Sequence, residues 1–252
     1  MKKGIFCISI DVELLWGRKD LDYSKFINLT KKERIIIKKL LKLFKKYNIP
    51  ATWAVVGKLY ENGDKLWSGK DIIDLIKKNK IHELASHSYS HEDFTKISKN
   101  IAEKEFKKPL AFSFIYPRNH IAYLDLLKKN GFKAYRAKDK NEFELILPRI
   151  PPTDKVRIKN GLKEIPCSMY FVSARGFKKY IPFGLRFLKS VFGINRAIKR
   201  KEIFHIWFHP VDFANNTKSL FKELELLLIY IDKKRQNNLI EVKTMQQISN
   251  SL

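Results

Sequence analysis

The chain has 252 residues, 44% hydrophobic and 13% aromatic, enough apolar material for a packed core, which excludes global disorder. Its 51 basic and 26 acidic residues leave a net charge of +25. The lysines are spread along the whole length and no nucleic-acid motif accompanies them, so the charge does not mark a nucleic-acid groove. No apolar stretch reaches the ~18 residues that a membrane-crossing helix needs. The opening Met1-Lys2-Lys3 and its short apolar run are cut off by Asp11 and Glu13 before they read as a signal peptide.

Residues 5–10 form a continuous apolar run of strand length. An amphipathic helix is predicted over 31–47 and ends at Asn48-Ile49-Pro50, where proline disfavours helix in the residue before it. A buried strand follows over 51–56, closed by Gly57, then a helix over 70–79 and a strand over 81–86 that runs into His87. The alternation continues with a helix over 97–107, a strand over 110–116, a helix over 121–130 ended by Gly131, and a strand over 132–136. A strand over 202–208, a long helix over 217–236 and a last strand over 239–242 complete it. Residues 141–201 hold Pro148, Pro151, Pro152, Pro166 and Pro182 and resist assignment. This order predicts an α/β fold with a mostly parallel sheet curled into an irregular barrel. The expected organisation is one domain over 1–252 with an irregular basic and apolar insertion around 141–201. Cys7 and Cys167 each lie in an apolar run, form no Cys-x-x-Cys pair, and read as small buried residues of a reducing, cytoplasmic compartment.

Chemistry-bearing residues gather at predicted strand ends, where parallel α/β folds place their sites. Asp11 and Glu13 share one face of the first strand because side chains alternate with period two. His87 and His91 are four residues apart, a spacing that puts both imidazoles on one metal ion if the segment is a helical turn. With a carboxylate from the first strand they make three ligands and leave a position for water. Of Asp11 and Glu13, one can ligate and the other can take the water's proton. His209, held extended by Pro210, can protonate a leaving amine, with His205 the weaker candidate. Arg118, closing the strand before it, can orient a carboxylate or bind an anionic group.

Taken in order, these segments resemble a family. The acidic first strand, Ile49-Pro50-Ala51-Thr52-Trp53-Ala54-Val55-Val56-Gly57, Glu83-Leu84-Ala85-Ser86-His87-Ser88-Tyr89-Ser90-His91, Tyr116-Pro117-Arg118-Asn119, Gly131-Phe132-Lys133-Ala134-Tyr135-Arg136 and Phe208-His209-Pro210 look like the polysaccharide deacetylases, the NodB-homology or family 4 carbohydrate esterases. The resemblance runs over 5–248. It implies a distorted (β/α) barrel of the seven-stranded, TIM-like type. It also implies a divalent metal, zinc first with cobalt, nickel or manganese as alternatives, and hydrolysis of an N-acetyl or O-acetyl group on a sugar. Carried over by position, Asp11 matches the catalytic base, His87 and His91 the metal-binding histidines, His209 the general acid, and Arg118 the arginine that orients the base.

The sequence also departs from that pattern. Val12 stands where the family usually has a second, metal-binding aspartate, so Glu13 is taken as the third ligand, as in branches with an Asp-x-Asp arrangement. Pro-Arg-Asn replaces Arg-x-Pro-Tyr, and Asp212 is the candidate for the group that tunes the acid histidine. The chain therefore resembles a divergent branch of the kind found with bacterial surface-polysaccharide genes. Two alternatives stay open: a metal-independent C–N hydrolase of the same fold, and a non-catalytic glycan-binding relative using Trp16, Tyr89, Tyr116 and Trp207. The missing export signal points to a lipid-linked or nucleotide-linked acetylated sugar as substrate. Basic and bulky apolar residues interleave over 177–201, which suits either an anionic membrane surface or a helix covering the barrel with a solvated basic face.

Overall fold

The computed structural model describes residues 2–107, 111–139, 149–171, 174 and 176–251. In chain order the elements are β1 (Gly4–Val12), α1 (Ile27–Lys46), β2 (Thr52–Val55), α2 (Lys70–Lys77), β3 (Glu83–Ser86), α3 (Lys99–Phe106), β4 (Ser113–Phe114), α4 (Leu124–Lys129) and β5 (Ala134–Arg136). They continue with β6 (Arg157–Lys159), β7 (Leu162–Ile165), β8 (Met169–Tyr170), α5 (Leu185–Arg200), β9 (Ile203–Phe208), α6 (Thr217–Gln236), β10 (Ile240–Val242) and α7 (Met245–Asn250). The strands form one curled sheet in the order β6-β7-β5-β4-β3-β2-β1-β9-β8, with β10 added to β1. Among the described residues every pairing between these strands is parallel except β6 with β7. This is the expected parallel-dominated, barrel-like α/β fold.

β1 is the central strand. One edge pairs with β9 over residues 5–10, while the other is shared by β10 over 4–6 and β2 over 9–12. Its two faces do different work. Phe6, Ile8, Ile10 and Val12 face the helices and pack with Ile37, Leu40 and Phe44 of α1 and Leu224 and Leu228 of α6. Ile5 and Cys7 pack on the inner face with Ala54, Ala85, Ile115 and Ala134, over Met245 and Ile248 of α7. By the same alternation Ser9, Asp11 and Glu13 continue the inner column upward, so one strand runs from an apolar base to an acidic rim. Val12, where the resembling family has aspartate, belongs to the helix-facing core.

Several predicted boundaries shift. The helix predicted over 31–47 starts earlier, at Ile27, and keeps Ile36, Ile37, Leu40 and Phe44 buried at helical spacing. The strand predicted over 110–116 pairs only at Ser113–Phe114, and Leu110 lies outside the described residues. The unassigned 141–201 region resolves in part. Residues 140–148 lie outside the described set, but β6, β7 and β8 join the same sheet and α5 packs on β1, β9 and α6. The β6–β7 hairpin turns at Asn160 and Gly161, both at positive φ, the conformation that Asn-Gly favours in two-residue turns. Cys7 is buried as expected, whereas Cys167 is only half-buried.

Candidate active site

The parallel strands carry their C-terminal ends to one rim. Asp11 and Glu13 lie at the end of β1, His87 just past β3, Arg136 at the end of β5 and His209 just past β9. Asp11, Glu13, His91, Arg136 and His209 line a cavity of about 500 Å³ walled by Leu21, Phe26 and Trp207, with Arg118, Asn119 and His120 at its edge.

His87 and His91 converge, but not on a helix. Residues 87–91 are a loop, with Ser88 and His91 both at φ 61°, a left-handed conformation costly for side-chain-bearing residues. The strain is held from several sides. Ser88 Oγ accepts from the His91 amide at 2.9 Å, the Gly57 and Lys58 amides donate to Ser88 and Tyr89, and the Glu105 carboxylate of α3 accepts from the Ser90 amide and hydroxyl at 2.8 and 2.6 Å. The expected helical turn is thus replaced by a braced loop that reaches the same result: the two ring centroids are 5.1 Å apart.

Glu13 is the focus. Its Oε1 lies 3.1 Å from His87 Nε2, 3.1 Å from His91 Nε2 and 3.3 Å from His209 Nε2. His87 Nδ1 faces the Ile115 carbonyl at 2.8 Å. A carbonyl only accepts, so Nδ1 donates to it and Nε2 is the ring atom turned to the Glu13 carboxylate. Two imidazole nitrogens and a carboxylate oxygen converging in a buried site are a donor set for a cation. Tetrahedral ligands about 2.1 Å from an ion stand about 3.4 Å from one another, close to the separations seen. His91 Nδ1 is buried with no hydrogen-bond partner among the described residues. The donor set therefore fits a divalent cation. Within the described residues the clusters of three potential ligands are Glu13 with His87 and His91, and Asp11 with Glu13 and His209. Burial pushes the Glu13 carboxyl up, but the charges of His209 and His91 outweigh it and hold it well below the carboxylate range.

Asp11 is held by an arginine that the sequence reading did not assign. Arg136 donates from Nη1 to Oδ1 at 2.9 Å and from Nη2 to Oδ2 at 2.7 Å, a bidentate pair buried on both sides. It also donates to Asn119 Oδ1 and Ser9 Oγ, both at 3.0 Å, and lies 4.5 Å from the centre of the Trp207 ring. Burial opposes ionisation of Asp11, and the Arg136 charge overcomes it, leaving the carboxyl below its ordinary value. Arg118, the arginine carried over for this task, instead pairs with Asp20 at 2.7 Å in a solvent-facing contact. The left-handed Arg118 backbone, φ 56°, accompanies a side chain at the rim rather than on Asp11. The signal for Arg136 was present: a charge closing a buried apolar strand, the same mark that singled out Asp11.

His209 lies opposite. Its Nδ1 donates to Asp212 Oδ2 at 3.1 Å, and its amide donates to the same oxygen at 2.8 Å. Burial lowers its pKa, but the carboxylates of Glu13 and Asp212 prevail and hold it well above 6.5. Asp212, named as the candidate substitute, is thus in contact with His209. Tyr170 stacks on Trp207 at 4.6 Å, and His209 presents its edge to both rings. His205 is fully buried, bonded to the Pro166 carbonyl and Ser9 Oγ at 2.8 Å each, and burial lowers its pKa to about 3. It is a neutral support beneath the site, level with Cys7 and four residues before His209.

The fold is thus a curled parallel sheet of the barrel-like α/β class with acid, imidazole and guanidinium groups on its C-terminal rim. Residues 33–110 match the family model described as polysaccharide deacetylase. No curated protein matches the chain in sequence. A solved structure described as a polysaccharide deacetylase from Mycobacterium smegmatis superposes with a TM-score of 0.76 at 15% identity, covering 100% of this chain and 91% of its own. One so described from Pseudomonas aeruginosa gives 0.68 at 12%, covering 99% and 91%. The PuuE allantoinase structure gives 0.69 at 12%, covering 99% and 90%. At these identities the superpositions establish the shared fold, and the family match is confined to residues 33–110. The chain thus shares the fold of these structures over its whole length, and its segment 33–110 resembles the polysaccharide deacetylases.

Proposed function

We propose that this protein is a metal-dependent deacetylase that hydrolyses an acetyl group, N-acetyl first, from a sugar of bacterial surface-polysaccharide metabolism. The observation that supports this reading is the convergence of Glu13 Oε1 with His87 and His91 Nε2, flanked by Asp11 and His209. Glu13, His87 and His91 would hold the divalent ion, a set of one carboxylate and two imidazoles suited to zinc and open to cobalt, nickel or manganese. When bound, such an ion supplies Lewis acidity toward the acetyl carbonyl and makes a nearby water more acidic. Asp11 takes the proton of the attacking water; Arg136 holds both of its oxygens, so it enters the reaction ionised and oriented. His209 gives a proton from Nε2 to the departing amine, while Asp212 fixes Nδ1 as a donor. Phe26, Leu21 and Trp207 offer apolar surface for a sugar ring.

A second reading, a metal-independent C–N hydrolase of this fold, draws on Val12, which leaves the site without the usual second aspartate. Elemental analysis of wild type beside His87→Ala separates the two. About one divalent ion per chain, lost in the variant, is the expected result and opens a screen of acetylated sugars. A metal-free wild type after incubation with zinc, cobalt, nickel and manganese would transfer the assignment to the second reading.

A further inference from the structure

α5 buries two basic side chains beside Ile194 and Ala197 and leaves two bulky apolar ones outside. Arg186 and Lys189 point inward and are buried. Arg186 pairs with Glu223 of α6 at 2.9 Å, and the Lys189 ammonium donates to the Arg149 carbonyl. Leu188 and Phe192, one turn apart on the outer face, are 47% and 43% exposed. Tyr180 and Phe183, on the approach to the helix, are 75% and 54% exposed. The helix cannot roll to hide them. Gly193 lies so close to Phe204 of β9 that any Cβ there would overlap the ring, and the Ala197 backbone abuts Gly4 of β1 in the same way.

The segment that carries this face has charge of one sign. Residues 165–201 contain no aspartate or glutamate. Lys179, Lys199, Arg200 and Lys201 are exposed, and Lys222 of α6 lies 5.4 Å from the centre of the Phe183 ring. A second copy of this surface would bring like charges together. An anionic lipid bilayer matches both properties, because its phosphates meet lysines while its acyl boundary accepts leucine and phenylalanine. Among the described residues no helix is long and apolar enough to cross a membrane, so the contact is one of lying on the surface.

We propose that the outer face of α5, with Tyr180 and Phe183, docks on an anionic lipid bilayer. The face begins beside the pocket: Lys178 lies 5.4 Å from the centre of the Tyr170 ring, which stacks on Trp207. The proposal goes beyond deacetylation and does not depend on it.

Co-sedimentation of the whole chain with vesicles of phosphatidylcholine and phosphatidylglycerol in equal parts, beside vesicles of phosphatidylcholine alone, tests it. Wild type should sediment with the anionic vesicles only. Leu188→Ser with Phe192→Ser should bind at least about tenfold more weakly, because two bulky apolar groups leave the interface, while its thermal unfolding stays unchanged. Phe183→Ser gives an independent variant outside the helix and should weaken binding in the same direction. Three results would overturn the proposal: no vesicle binding, binding undiminished in both variants (adhesion by dispersed lysines), or self-association in sedimentation velocity that the same substitutions abolish. None of these outcomes bears on metal content or hydrolysis.

Discussion

The Asp11 carboxylate is buried, and it stays ionised because both oxygens accept from Arg136. Removing one partner of a buried pair leaves an uncompensated charge, which costs about 3–5 kcal/mol. Arg136→Ala should therefore lower the urea-unfolding free energy by that order and reduce hydrolytic activity with it. Arg118→Ala breaks only a solvent-facing pair with Asp20, worth about 0–1 kcal/mol, and should leave stability nearly unchanged. Equal losses in the two variants would sink the distinction. At this scale the sequence was legible wherever chemistry sits on a strand end. Asp11, Glu13, His87, His91 and His209 all lie at or just past strand ends and converge at the rim. For the arginine, position in a motif does not say where a long side chain points: Arg118 sits next to Asn119, which does reach Arg136, yet turns outward itself to Asp20.

The short turn after β1 shows how an element makes room for a residue. Residues Leu14–Arg18 form a 3-10 turn, and Leu14 enters it at φ 49°. A Cβ on Gly17 would overlap Glu13 Oε2, whose other oxygen faces the three histidines. A glutamate reaches one methylene further than an aspartate, and the glycine gives that extra length its space. Gly17→Ala should thus displace the carboxylate and weaken zinc binding by about 10–100-fold, the usual penalty for disturbing a ligand's support. Combining it with Glu13→Asp, which shortens the side chain, should recover part of the affinity. Competition against a chelating dye would report both, and zinc affinity untouched by Gly17→Ala would refute the coupling. Other elements differ in how far they could be read. β1, β2 and β9 are buried on both faces and appear as apolar runs, and α6 was predicted to its observed bounds. β4 and β8 have two residues each, too few for any periodicity. The β6–β7 hairpin carries a signal of its own, Asn160-Gly161, which strand–helix alternation does not contain.

Over the whole molecule, the barrel-like fold was legible because apolar strands and amphipathic helices alternate, but the cost of the interior polar groups was not. That cost depends on which helix face meets the rim. α1 packs against the turns at Leu14–Arg18 and Pro210–Phe213, and this contact buries Glu33 with its Oε1 unpartnered among the described residues. Burial raises the Glu33 pKa from 4.5 to about 7; Arg18 opposes the rise and Glu13 adds to it. In the unfolded chain the group titrates near its ordinary value. Between the two values the folded state holds a proton that the unfolded state has lost, so folding stability falls as pH rises through this range. The favourable state is complete below pH 4.5 and gone above about pH 7, a swing on the order of 3 kcal/mol. Glu33→Gln removes the ionisation and keeps the shape. Measured on protein stripped of metal, so that no added cation draws the carboxylate back toward its ordinary value, the variant should match wild type at pH 4.5 and exceed its stability at pH 8.5. A constant difference between the two proteins across that range would show that Glu33 does not change its charge on folding, and the buried carboxylate would then need a partner that the packing of α1 against the rim does not provide.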